Sequence, residues 1–277
     1  MQHIILKQLG LAVVFTMLPL APGILRADEA ATPEEAKAKA ILMRMAEFLA
    51  KTPSFSVDVK DSYDVYQESG QKIEFNENRK IVVVRPDRLR IEAEESDGDN
   101  SMVVFDGKVI TVTTPGKKVY AQTPQPGNLD AAMRHFVEDL GMKLPFAPLL
   151  LSTAPAEIAK RTETLDYVEK TSIFGKPAHH LAGRTESVDY QIWIADGDQP
   201  LPVRLVLTYR EADGQPQFRA QFSNWNLKPE APASLFAFTP APGTEKIAFS
   251  TQLPRTVAPP AVKPDEPKTS EKPGGQP

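Results

Sequence analysis

The chain has 277 residues, 41% hydrophobic, 25% charged and 8% aromatic, with 26 prolines and no cysteine. Ordinary apolar and charged fractions at this length exclude a wholly disordered chain and a multi-span membrane protein, and allow one sizeable domain or two small ones. Thirty-two Lys and Arg against 36 Asp and Glu leave −4, which speaks against nucleic-acid binding through phosphates, and the lack of cysteine removes disulfides, thiolate metal sites, thiol nucleophiles and cysteine lipidation.

Residues 1–27 read as a secretory signal peptide. His3 and Lys7 give a weakly basic start, and an apolar run from Leu9 to Leu20 follows. A twelve-residue helix rises about 18 Å, too little for a hydrocarbon core of about 30 Å. Pro19 and Pro22 interrupt the run, and Leu25 and Ala27 make a passable cleavage site before Asp28. A segment of this kind is set aside from fold reasoning and implies export to the periplasm, with no membrane span after cleavage.

The mature chain opens with a helix signature. Thr32-Pro33-Glu34-Glu35 offers an N-cap, a proline at the first helical position and an acidic first turn. Ile41, Leu42, Met45, Phe48 and Leu49 then mark one helical face. From residue 54 the period changes to two. Phe55, Val57, Val59, Tyr63 and Val65 occupy odd positions and polar residues the even ones, with Asp61 the one exception. Turns at Ser69-Gly70, Pro86-Asp87, Asp97-Gly98, Asp106-Gly107 and Pro115-Gly116 separate the following apolar runs, so six hairpin-linked strands are expected up to Thr123.

A helical insert comes next. Met133, Phe136, Val137 and Leu140 share one side of a helix predicted over 129–140. The apolar run 144–151 follows, in which Pro145 and Pro148 forbid a regular helix, and a short helix is expected near 156–161. Five more strands are predicted at 165–172, 178–182, 188–195, 201–209 and 217–225. From Thr251 to Pro277, seven of 27 residues are proline and no large apolar side chain follows Leu253, so an extended, disordered tail is expected. The predicted organisation is 1–27 signal peptide, 28–250 folded domain and 251–277 Pro-rich tail.

This order of elements resembles the LolA/LolB-type lipoprotein-carrier superfamily. The local likeness lies in Arg85-Pro86-Asp87-Arg88-Leu89-Arg90, Phe105-Asp106-Gly107-Lys108, the run from Ile192 to Asp196 into Leu201–Leu205, and Phe236-Ala237-Phe238-Thr239-Pro240. Together these look most like an uncharacterised group of predicted periplasmic proteins within that superfamily. The resemblance implies an α+β fold, a strongly curved antiparallel sheet forming an open half-barrel of about eleven strands, covered by a few helices. Its motifs are turns and strands, so no functional residue is carried over.

The sequence shows no Gly-x-Ser-x-Gly, His-Glu-x-x-His, phosphate loop or dinucleotide fingerprint, and no catalytic residue or cofactor is expected. His179 and His180 are adjacent in a predicted strand, which points them to opposite faces and away from a shared metal ion. The segment Asp97–Ser101 lacks the glycine and glutamate that a calcium loop requires. The positive case rests on apolar surface. Met142, Leu144, Phe146, Leu149, Leu150 and Leu151 form a proline-interrupted cover over the concave sheet face; they either line an acyl cavity or complete the core. The candidate ligand-binding residues of cavity and cover are Phe136, Leu140, Leu144, Phe146, Leu149, Leu150, Trp193, Leu205 and Phe222. The expected function is non-catalytic binding or carriage of a lipid or lipid-modified protein in the periplasm. The alternative is an envelope sensor or interaction module with a protein partner.

Overall fold

The computed structural model describes residues 32–249. The expected signal peptide and Pro-rich tail lie outside the described residues, as do Asp28–Ala31 and Ser250 of the expected domain.

Helix α1 runs Pro33–Lys51 and buries Ala38, Leu42, Met45, Ala46 and Leu49, the face its periodicity announced. It stops where Pro53 disfavours helical geometry at Thr52. Thr52 Oγ1 donates to the Phe48 carbonyl at 2.7 Å. The Arg85 guanidinium reaches the carbonyls of Leu49 (3.3 Å) and Thr52 (3.2 Å), so a cation from the sheet neutralises the helix's C-terminal end.

Twelve strands among the described residues form one sheet. They are β1 Ser54–Tyr66, β2 Lys72–Val84, β3 Arg88–Glu95, β4 Asn100–Phe105, β5 Val109–Thr114, β6 Val119–Pro124, β7 Thr164–Ile173, β8 Lys176–Arg184, β9 Val188–Ala195, β10 Pro202–Tyr209, β11 Gln217–Asn226 and β12 Glu245–Ile247. Their spatial order is β12-β6-β5-β4-β3-β2-β1-β11-β10-β9-β8-β7. All neighbours are antiparallel except β12, which runs parallel to β6. This is the expected open α+β sheet with one more strand than the sequence suggested. The three residues of β12 are all exposed and too few to show a period.

Strand order explains the cover. The chain winds outward from β1 to β6 and resumes at β7 on the opposite edge, then winds back until β11 pairs with β1. Residues 125–163 must therefore cross a sheet face. They do so on the face carrying Phe55, Val57, Val59, Ile81, Leu181, Ile192, Leu205 and Phe222, which share one buried core with α1 and the insert. After β11 the chain crosses back over the other face, where Phe236 packs with Val82 and Val104 in a second, smaller core.

The insert begins with α2, Leu129–Arg134, whose N-cap Asn128 accepts from the Ala131 amide. It continues as a π-turn at His135–Asp139, where the Leu140 amide bonds the His135 carbonyl at 3.0 Å. Gly141, at φ +66°, then ends the run. The α-helix is thus shorter than the expected 129–140, with wider turns completing the span. Helix α3 is Ala154–Arg161.

Candidate functional site

The cover 142–151 is pinned at its ends. The Met142 amide donates to the Phe136 carbonyl at 3.1 Å. At the other end Arg85 Nη2 donates to the Leu150 carbonyl at 2.9 Å, and Asp130 accepts from both the Ser152 amide (2.9 Å) and its hydroxyl. Burial pushes the Arg85 guanidinium below its usual value, with Asp130 pulling it back up. Between these anchors the backbone bonds are short-range turns, Ala147 to Leu144 and Leu149 to Phe146, each 2.9 Å. What holds the middle to the sheet is apolar packing. Phe146 lies edge-on to Phe222 with centroids 5.9 Å apart and 6.1 Å from the ring of Phe218.

Two cavities flank the middle of the cover. The larger, about 800 Å³, lies among α2, the π-turn, the cover and the β1–β2–β11 part of the sheet. The smaller, about 570 Å³, lies among α1, the cover, α3 and β9–β10, and is lined by Leu42, Met45, Ile158, Ile192 and Leu207. Both border Pro145, Pro148, Glu157 and Arg161, so the prolines of the cover and the inner side of α3 form the partition. Each volume falls in the range of small-molecule sites.

The expected residues divide by position. Leu144 lines the larger cavity; Phe146, Leu149 and Leu205 line the smaller one. Phe136, Leu140, Leu150 and Phe222 are buried in the same core without bordering either space. Trp193 stands elsewhere. It pairs with His180, stacking on that ring at 4.1 Å, while its neighbours Ile192 and Ile194 turn into the core. Strand alternation sets Trp193 on the face opposite the cavities.

The two strand histidines likewise part. His180 Nε2 meets Gln191 Oε1 at 3.0 Å, whereas His179 lies between the Tyr167 hydroxyl and Asp196, each at 3.2 Å. His135 bonds Asp139 at 2.7 Å.

The residues least visible beforehand are the polar ones of the larger cavity. Asp61, Glu77 and Arg79 share its sheet face. Arg79 Nε donates to Asp61 Oδ2 at 2.8 Å, and its terminal nitrogen pairs with Glu77. Asp61 is only 3% exposed, and its Oδ1 is enclosed with no hydrogen-bond partner. Burial raises the Asp61 carboxyl above its usual range, and the Arg79 charge and hydrogen bond oppose that rise. The signal was present as the one break in the alternation of β1. In the smaller cavity Tyr190 donates or accepts at Thr162 Oγ1 (2.9 Å), and burial lifts its phenol above the normal value.

Comparison with known proteins decides the family. A family model described as "Predicted periplasmic protein (DUF2092)" matches residues 38–250. The chain belongs to this family. As a DUF2092 protein it is periplasmic, and the likeness carried by Arg85–Arg90, Phe105–Lys108 and the β9–β10 motif is borne out. No curated protein matches this DUF2092 chain in sequence. Among solved structures it is similar to the Mycobacterium tuberculosis lipoprotein LppX, at 13% identity over 69% of this chain and 96% of that one, TM-score 0.44. It is also similar to MucB, at 18% identity over 74% of this chain and 63% of that one, TM-score 0.39. A third is a LolA superfamily protein from Nitrosomonas europaea, at 12% identity over 73% and 97%, TM-score 0.36. Among the described residues of this DUF2092 protein, no helix is long and apolar enough to cross a membrane.

Proposed function

We propose that this chain is a non-catalytic periplasmic binder or carrier of a lipid or lipid-modified protein, and that the acyl chain lies under the cover 142–151. The observation that carries the reading is a pair of cavities on either side of a segment held mid-span by apolar contacts and anchored only at its ends. An acyl chain that displaces Leu144, Phe146 and Leu149 exchanges one apolar contact for another, so the exchange costs little. The newly buried methylenes contribute about 0.8 kcal/mol each. No step needs a cofactor.

Native mass spectrometry of the protein exported to a periplasm, followed by organic extraction, tests the reading. Retained mass that extracts as a defined lipid or acylated peptide supports it. Clean apo mass, unchanged after incubation with lipid vesicles or lipoprotein, overturns it.

A second reading, an envelope sensor or protein-interaction module, is favoured by one observation. Tyr63, Val65, Ile73 and Phe75, which face one another across the outer end of the β1–β2 hairpin, are 36–39% exposed. Such a strip on a soluble domain marks a contact surface. It becomes the leading reading if the exported protein is apo and acquires no lipid.

A further inference from the structure

Deepening the lipid-binding reading, on which it rests, we propose that the larger cavity selects amphiphiles whose headgroup is a hydrogen-bond donor, an ammonium above all, by presenting it to Asp61 and Glu77. The strand register puts Asp61 directly opposite Glu77 on β2 and Ala220 on β11. Two of its neighbours on the same face, Tyr63 and Phe218, line the cavity together with Glu77 and Arg79, and Asp61 lies behind this lining, bonded to Arg79, without itself bordering the space. Ala220 provides the smallest side wall beside the carboxylate.

The charge inventory favours a cation. Within the cluster two carboxylates face one guanidinium. Around the whole cavity, five carboxylate side chains and four cationic ones form the lining, and of the charges just behind it Asp61 adds a carboxylate while Arg219, paired with Asp64, adds a cation, so the excess of one carboxylate persists. Arg79 donates to Asp61 Oδ2, whereas Oδ1 has no hydrogen-bond partner. An enclosed carboxylate oxygen without a partner is strongly disfavoured, and an ammonium or hydroxyl supplies what is missing. A carboxylate or phosphate head would instead meet Glu77 and Asp61 as like charges.

The test uses the full chain and three twelve-carbon probes below their critical micelle concentrations: dodecylammonium, dodecanol and dodecanoate. Binding is measured by calorimetry or native mass spectrometry. The expected order is dodecylammonium, then dodecanol, then dodecanoate, with about tenfold or more between first and last. Asp61→Asn should cut that ratio to near unity through weaker dodecylammonium binding, with its circular dichroism unchanged. Glu77→Gln gives an independent check at a cavity-lining position whose side chain is 14% exposed, and should reduce the ratio partially. Equal binding of all three probes, or a ratio untouched by both substitutions because Oδ1 is satisfied by water, overturns the headgroup assignment and leaves the acyl-binding reading standing. Binding of none of the probes overturns both.

Discussion

Phe146→Ala is the most informative single perturbation. The ring is 1% exposed, borders the smaller cavity, and contacts Phe218 and Phe222 at centroid distances of 6.1 and 5.9 Å. Returning a Phe side chain to water costs about 2–3 kcal/mol. Two aromatic contacts of about 0.5–1 kcal/mol each bring the expected loss to about 4 kcal/mol. Little of this should be recovered by collapse, because Pro145 and Pro148 stiffen the backbone on both sides. The truncation also enlarges the smaller cavity, so an acyl probe gains room while the fold loses stability. Urea denaturation should therefore show a lower midpoint at an unchanged slope, and dodecyl probes should bind at least as tightly as to the parent chain. A loss under about 1 kcal/mol would mean that the ring does not pack on the sheet in solution, which would remove the basis for treating the cover as a displaceable plug.

Three other perturbations probe the supports of the site. Arg219 donates to Asp64 at 2.9 Å, and this hydrogen bond is the main reason that the Asp64 carboxyl lies below its usual range. A lowered folded-state pKa gives stability that is present above the unfolded value near 3.9 and lost as pH falls through the folded one. Asp64→Asn should thus cost about 2 kcal/mol at neutral pH and converge with the parent chain in acid, as thermal melts across pH 2–7 would show. Arg85→Leu unties α1 from the cover, with an expected loss of about 3 kcal/mol and faster amide exchange at 147–152. Gly183→Val forces a Cβ within 2.3–2.7 Å of the Tyr190 ring and hydroxyl, so the tyrosine must leave Thr162 and move further into the smaller cavity that it lines. A melting-temperature drop equivalent to about 1–3 kcal/mol, with loss of probe binding there, is the expected reading.

The strands and turns were legible because each sheet face is uniform. Alternation in β1 and β2 and Gly-containing corners located eleven strands to within a few residues. What a period cannot convey is pairing. The return of β12 to β6 depends on the path of 227–244 over the outer face, which no local pattern encodes. The same limit governs the site. Cover residues such as Leu144 and Phe146 stood out as an apolar run broken by prolines. Trp193 is a candidate that the alternation argues against, because its neighbours Ile192 and Ile194 claim the core face. The polar cluster was readable as the exception at Asp61, but its partners Glu77 and Arg79 sit 16 and 18 positions away and meet it only through the hairpin register.

The placement of the cover between β6, next to one edge of the sheet, and β7, at the other edge, has a mechanical consequence. A segment fastened at both ends arches; it does not swing on a hinge. Space opened beneath an arch has two mouths, so a molecule threaded under it can protrude on either side. The length of the acyl chain would then be limited by how much of it needs shelter and not by the depth of a closed pocket. Loading and unloading could proceed from different sides of the domain without the bound chain reversing direction.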